Sequence, residues 1–94
     1  MIVRDDGCLR VTVPMTMDHA QALLEAGRAL LPTAGKVVID LSAVTRADAS
    51  ALAVMLAWLR RAPALRSTIV FAQIPASVLA LAELHGVKDL LPQA

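Results

Sequence analysis

The residues best placed for chemistry in this chain are Asp48 and Ser50, separated by Ala49, at the head of a run with helical periodicity. A carboxylate and a hydroxyl at a helix start meet free amide groups and the positive end of the helix dipole. Asp48 is expected to cap that helix. A phosphate on Ser50 would be electrostatically tolerated there, which makes Ser50 a candidate phosphoacceptor. The same two residues also serve as a plain cap and a helix-compatible polar residue. Asp40 closes an apolar run and, with Asp5, Asp6 and Lys88, invites comparison with a Mg²⁺-binding acid pocket of the phosphoreceiver kind. Asp5-Asp6-Gly7 reads as a turn, however, and Asp40 is expected to order the next loop by accepting backbone amides. His19 and His85 fall near helix ends with no Ser or Cys arranged around either. No catalytic set, cofactor site or metal-ligand spacing emerges, so the chain is read as a non-enzyme.

These residues must be positioned by a short series of elements. Ile2–Arg4 and Cys8–Val13 read as strands joined by the Asp5-Asp6-Gly7 turn, the second with Leu9, Val11 and Val13 alternating against polar neighbours. Pro14 ends that ladder. Thr16 or Asp18 is expected to cap a helix that runs to about Leu31, where Pro32 and Gly35 break it. Val37-Val38-Ile39-Asp40-Leu41 has the continuous β-branched character of a central strand covered on both faces. A second helix spans Asp48 to about Ala62 and stops at Pro63. Thr68–Ala72 is the fourth strand, Pro75 opens a third helix, and Gly86 caps its end. Val87–Leu91 forms a last short turn, and Met15, Met17 and Met55 fill gaps in the core. Strands alternating with helices predict an α/β fold with a four-stranded, mostly parallel mixed sheet, three to four helices packed against it, and one domain over residues 1–94.

Composition narrows the function. A chain of 94 residues that is 57% apolar carries more apolar surface than one small core hides, which suggests a docking surface. The net charge of +1 and only two aromatic residues, Trp58 and Phe71, argue against a nucleic-acid-binding surface. No apolar run is long enough to cross a bilayer, the Met1–Asp6 segment has no secretory h-region, and the single Cys8 suits a reducing compartment. Cytoplasm is the expected location.

The second helix holds most of the functional information. At about 100° per residue, Leu52, Met55, Leu56 and Leu59 form one stripe, expected to face the core. The opposite side then carries Ser50, Val54, Ala57 and Arg61, flanked by Ala51 and Trp58. Small residues permit close approach of another chain, and Trp and Arg are common interface anchors. Asp48, Ala49, Ser50, Ala51, Val54, Ala57, Trp58 and Arg61 are therefore the expected partner-binding residues.

The segment Val37-Val38-Ile39-Asp40-Leu41-Ser42-Ala43-Val44, with Asp48-Ala49-Ser50-Ala51-Leu52-Ala53 after it, resembles the signature of STAS domains. The order of strands and helices agrees along nearly the whole chain. Within that family, the short length and the ending Leu84-His85-Gly86-Val87-Lys88-Asp89-Leu90-Leu91-Pro92 are similar to the STAS subunits of Mla phospholipid-transport systems (MlaB-like). The resemblance implies a non-catalytic cytoplasmic subunit, peripheral to the inner membrane through its partner. That partner is the ATPase of an ABC transporter that maintains outer-membrane lipid asymmetry in Gram-negative bacteria. No direct small-molecule substrate is implied. The alternative it implies is an anti-sigma-factor antagonist working as a phospho-switch. In such antagonists the acceptor hydroxyl directly follows the motif aspartate. Here that position is Ala49, and Ser50 is rotated roughly 100° further round the helix.

Overall fold

The computed structural model describes residues 1–31 and 34–94. Strands β1 (Ile2–Asp5), β2 (Cys8–Val11), β3 (Gly35–Asp40) and β4 (Ser67–Ala72) form one sheet in that spatial order. β1 pairs antiparallel with β2, and β2, β3 and β4 are parallel. The first hairpin turns at Asp6 and Gly7, both with positive φ (46° and 78°), which explains the Asp-Asp-Gly sequence there. Between the strands run α1 (Met17–Leu30) and α2 (Ala49–Arg61), and α3 (Ala76–Leu84) follows β4.

Because β2, β3 and β4 advance in one direction across the sheet, crossovers of a single hand put the helices on the same side. α2 sits between α1 and α3. The face beneath the helices buries Leu9, Val11, Val37, Ile39, Ile69 and Phe71. The opposite face stays open. Cys8, Val38 and Val70 align there as register partners and are only half-buried, with exposed Lys36 and Thr68 in the next row. The expected two-sided cover of Val37–Leu41 is thus corrected to one side. Val38 owes its β-branched character to its ladder neighbours instead of to a second helical layer.

Helix ends account for much of the loop sequence. The guanidinium of Arg4 donates to the Leu30 carbonyl at 2.8 Å, closing the end of α1. The stop expected at Pro32 lies outside the described residues. α2 passes into a 3₁₀ turn at Ala62–Leu65 around Pro63. Arg66, in the left-handed region, then returns its amide to the carbonyls of Ala62 and Pro63. α3 ends as expected at Gly86, where the Val87 amide reaches the Ala82 carbonyl at 2.8 Å. A short 3₁₀ turn, Lys88–Leu90, leads to a segment that lies along β4 through the bridge Phe71–Gln93.

Candidate docking site at the start of the second helix

The loops that enter α1 and α2 are joined at one end of the sheet. Met15 is buried and bridges Ala47, donating its amide to the Arg46 carbonyl (2.9 Å) and accepting from the Asp48 amide (3.2 Å). On this platform the Asp48 carboxylate serves two helices at once. Its Oδ1 accepts from the Ser50 amide at 2.8 Å and its Oδ2 from the Met17 amide at 3.1 Å. Thr16 occupies the cap position of α1 but makes no side-chain bond there, and neither it nor Asp18 supplies the expected cap. The capping group comes from across the fold. The amides of Ser50 and Met17, then the Ser50 hydroxyl and the positive charge of Arg46, hold the Asp48 pKa below the usual aspartate value. Asp40 orders the preceding loop as expected: its carboxylate accepts from the Ser42 amide (2.9 Å) and hydroxyl (3.0 Å).

The faces of α2 differ from expectation. Ala51, Leu52, Val54, Met55 and Trp58 are buried, Val54 and Trp58 each to 2% exposure. Leu56 and Leu59, placed in the core stripe from the sequence, are half-buried at its margin. The core face is therefore rotated toward Val54 and Trp58, and Ala51, Val54 and Trp58 do not form an outer surface. The physical reason is that α2 is the middle helix. It needs a wide buried arc, and α1 takes the side on which Trp58 lies. Of the other residues expected at the interface, Ala49 and Arg61 are exposed, whereas Asp48, Ser50 and Ala57 are half-buried.

The surface that α2 does present is the stripe Ala49, Ala53, Leu56 and Arg60, recurring at helical spacing. Sequence reasoning missed Ala53, Leu56 and Arg60 because an alanine-rich helix has apolar residues all round. It also misplaced Met17. Met15 and Met55 are core, but Met17 is 77% exposed at the same end of the fold as Ala49. Leu90, 59% exposed, flanks Leu56 and Leu59 across a shallow cleft.

Other chemistry is not assembled. His85 is exposed; His19 is half-buried, with Nδ1 enclosed and unpartnered. Asp5 lies at the hairpin end of the sheet, in register with Cys8, while Asp40 is in register with Arg10 at the other end of β2. Among the described residues no group of three or more His, Cys, Asp or Glu is arranged to hold a metal ion. No helix of the described residues is long and apolar enough to cross a membrane.

The family profile described as Mlab, STAS domain, matches residues 2–92. The chain belongs to this STAS family. A solved Thermotoga maritima structure, described as a candidate anti-sigma factor antagonist, superposes with a TM-score of 0.76 at 12% identity. It covers 99% of this chain and 83% of that one. A structure described as Mglu matches with a TM-score of 0.62 and 22% identity over 81% of this chain, which spans only 19% of that one. Both likenesses concern the fold. No curated protein matches the sequence. The STAS assignment gives the joined loops and the start of α2 a family context: such domains mediate protein–protein contacts and are generally regulatory or accessory.

Proposed function

We propose that this STAS domain is a non-catalytic accessory subunit that docks on the ATPase of an ABC phospholipid transporter. It reaches the inner membrane only through that complex. The observation that carries this function is the match to the Mlab-type profile over nearly the whole chain. The docking surface is the edge formed by Met17, Ala49 and Ser50, continued along Ala53, Leu56 and Arg60 of α2. Small side chains at Ala49 and Ala53 let a partner helix or loop approach the backbone closely, and Leu56 and Leu90 supply apolar area.

The alternative is an anti-sigma-factor antagonist, favoured by the fold likeness to the Thermotoga maritima protein. Ala49, exposed where such a switch has its hydroxyl, weighs against it. Ser50 is half-buried and its amide is bound to Asp48.

Co-expression with the ATPase of an Mla-type phospholipid transporter is expected to give a stable complex by size-exclusion chromatography. Leu56→Glu should break that complex without unfolding the domain. If the chain instead binds a sigma-regulating kinase and ignores the ATPase, the transport function is rejected.

A further inference from the structure

From Gln21, one turn into α1, toward the ends of both helices, a groove of roughly 460 Å³ runs between α1 and α2. α1 contributes Gln21, Glu25 and Arg28 to its walls, spaced as one helical stripe, and α2 contributes Ala57, Arg60 and Arg61. Trp58 forms part of its wall. Three guanidinium groups thus border a groove that holds one carboxylate, and that carboxylate, Glu25, accepts from Gln21 at 3.2 Å. Among the described residues none of the three arginines is in an ion pair.

Cations near helix ends ordinarily meet bare carbonyls and the negative end of the dipole. That explanation is weak here. The Leu30 carbonyl of α1 is already taken by Arg4, and α2 continues into the 3₁₀ turn whose carbonyls receive Arg66. Arg28, Arg60 and Arg61 are free to pair with something else.

The shape indicates what that is. The lining residues recur along both helices over about two turns, some 10 Å, which suits a third helix lying between them more than a single small ion. Ala57 and Ala64 keep the groove open for its backbone. We propose that this groove docks an acidic amphipathic helix of a second protein. Its carboxylates pair with Arg28, Arg60 and Arg61, and its small apolar residues lie over Ala57. The groove shares Arg60 with the stripe proposed for the ATPase, whereas Arg28 and Arg61 lie outside that stripe, so charge reversal at these two tests the groove separately from the ATPase function.

Trp58 is the chain's one tryptophan and, though only 2% exposed, lies at the base of the groove, where a change in its surroundings alters the indole emission. The test titrates the full chain with a panel of stapled helical peptides of about 14 residues, with Glu and Ala stripes placed in every register. Glu→Gln counterparts serve as controls. At least one acidic peptide is expected to shift Trp58 emission at micromolar concentration. Its Gln counterpart should bind at least about tenfold more weakly. Arg28→Glu and Arg61→Glu should each weaken it by a similar factor with unchanged thermal melting by circular dichroism. The proposal is overturned if no peptide in the panel shifts the emission up to about 1 mM. It is equally overturned if the Gln counterparts or the charge-reversed variants bind as well. Competition by inorganic phosphate at the peptide's own concentration would show a small-anion site and overturn the helix as occupant.

Discussion

The indole of Trp58 occupies the space that a side chain at Gly27 would need. A Cβ built on Gly27 would lie 2.7 Å from both Cδ1 and Cε2 of that ring. Each residue is ten positions along from a backbone start tied to Asp48, at Met17 for α1 and at Asp48 itself for α2. The two helices therefore run parallel from a shared carboxylate and meet again about 15 Å further on. Trp58 is buried, yet its Nε1 has no hydrogen-bond partner.

Gly27→Ala is accordingly expected to destabilise the domain by about 1–3 kcal/mol in urea unfolding, because the core cannot absorb the methyl group without moving the ring. Trp58→Phe is expected to cost less than Gly27→Ala, since it removes an unsatisfied N–H along with part of the ring. Combined, the two substitutions should be less damaging than the sum of their separate effects. Simple additivity would show that the contact does not limit helix packing.

Asp48 carries a pH dependence of defined sign. Its native pKa is lowered, so its contribution is complete above the usual aspartate range and is lost as pH falls through the native value. Asp48→Asn should lower the urea midpoint at neutral pH and narrow the gap between neutral and acidic midpoints. Asp48→Ala, which removes both acceptors, should lower the neutral midpoint further. An unaltered gap in Asp48→Asn would place the acid sensitivity elsewhere.

Neighbouring positions on α2 are expected to give opposite outcomes. Val54→Glu buries an unpaired charge in a domain whose whole stability is about 5–15 kcal/mol, and it should appear as loss of near-UV circular dichroism. Ala53→Glu, one residue earlier but exposed, should leave the spectrum intact and weaken ATPase binding at least about tenfold. Matching behaviour in the two variants would remove the outer stripe from the interface.

Ser50 separates the two functions. Ser50→Asp sets a second carboxylate beside Asp48 and should weaken docking well beyond Ser50→Ala, which removes only a half-buried hydroxyl. Intact mass after incubation with a sigma-regulating kinase should show no added phosphate. Stoichiometric phosphorylation at Ser50 would move the assignment to the switch.

The strand and helix order was legible because period-two alternation in Leu9-Arg10-Val11 and breakers such as Pro63 and Gly86 act locally. The local motif likewise placed Asp48 correctly as a cap. Its second bond, to Met17, links residues 31 positions apart and leaves no trace in spacing. The orientation of α2 was lost for a different reason. Leu, Met, Val, Ala and Trp surround the helix, so periodicity alone could not say which arc a neighbour covers. Gly27 is the signal that would have settled it: a glycine inside a helix marks a close approach, and here it is the seat of the only tryptophan.

The segment that follows the last 3₁₀ turn gives the two margins of the sheet unequal fates. Beside β4, the Phe71 amide donates to the Pro92 carbonyl and the Ala94 amide to that of Phe71, both at 2.8 Å. Hydrogen-bonding groups at this margin are thereby consumed from within the chain. The other margin is β1, four residues long and carrying Arg4 and Asp5. Among the described residues no strand pairs with its outer side, so charge and brevity are what discourage a foreign strand from adding there. Any strand exchange under crowded or stressed conditions would accordingly begin at β1, and a lysine at Val3 would be the economical way to suppress it.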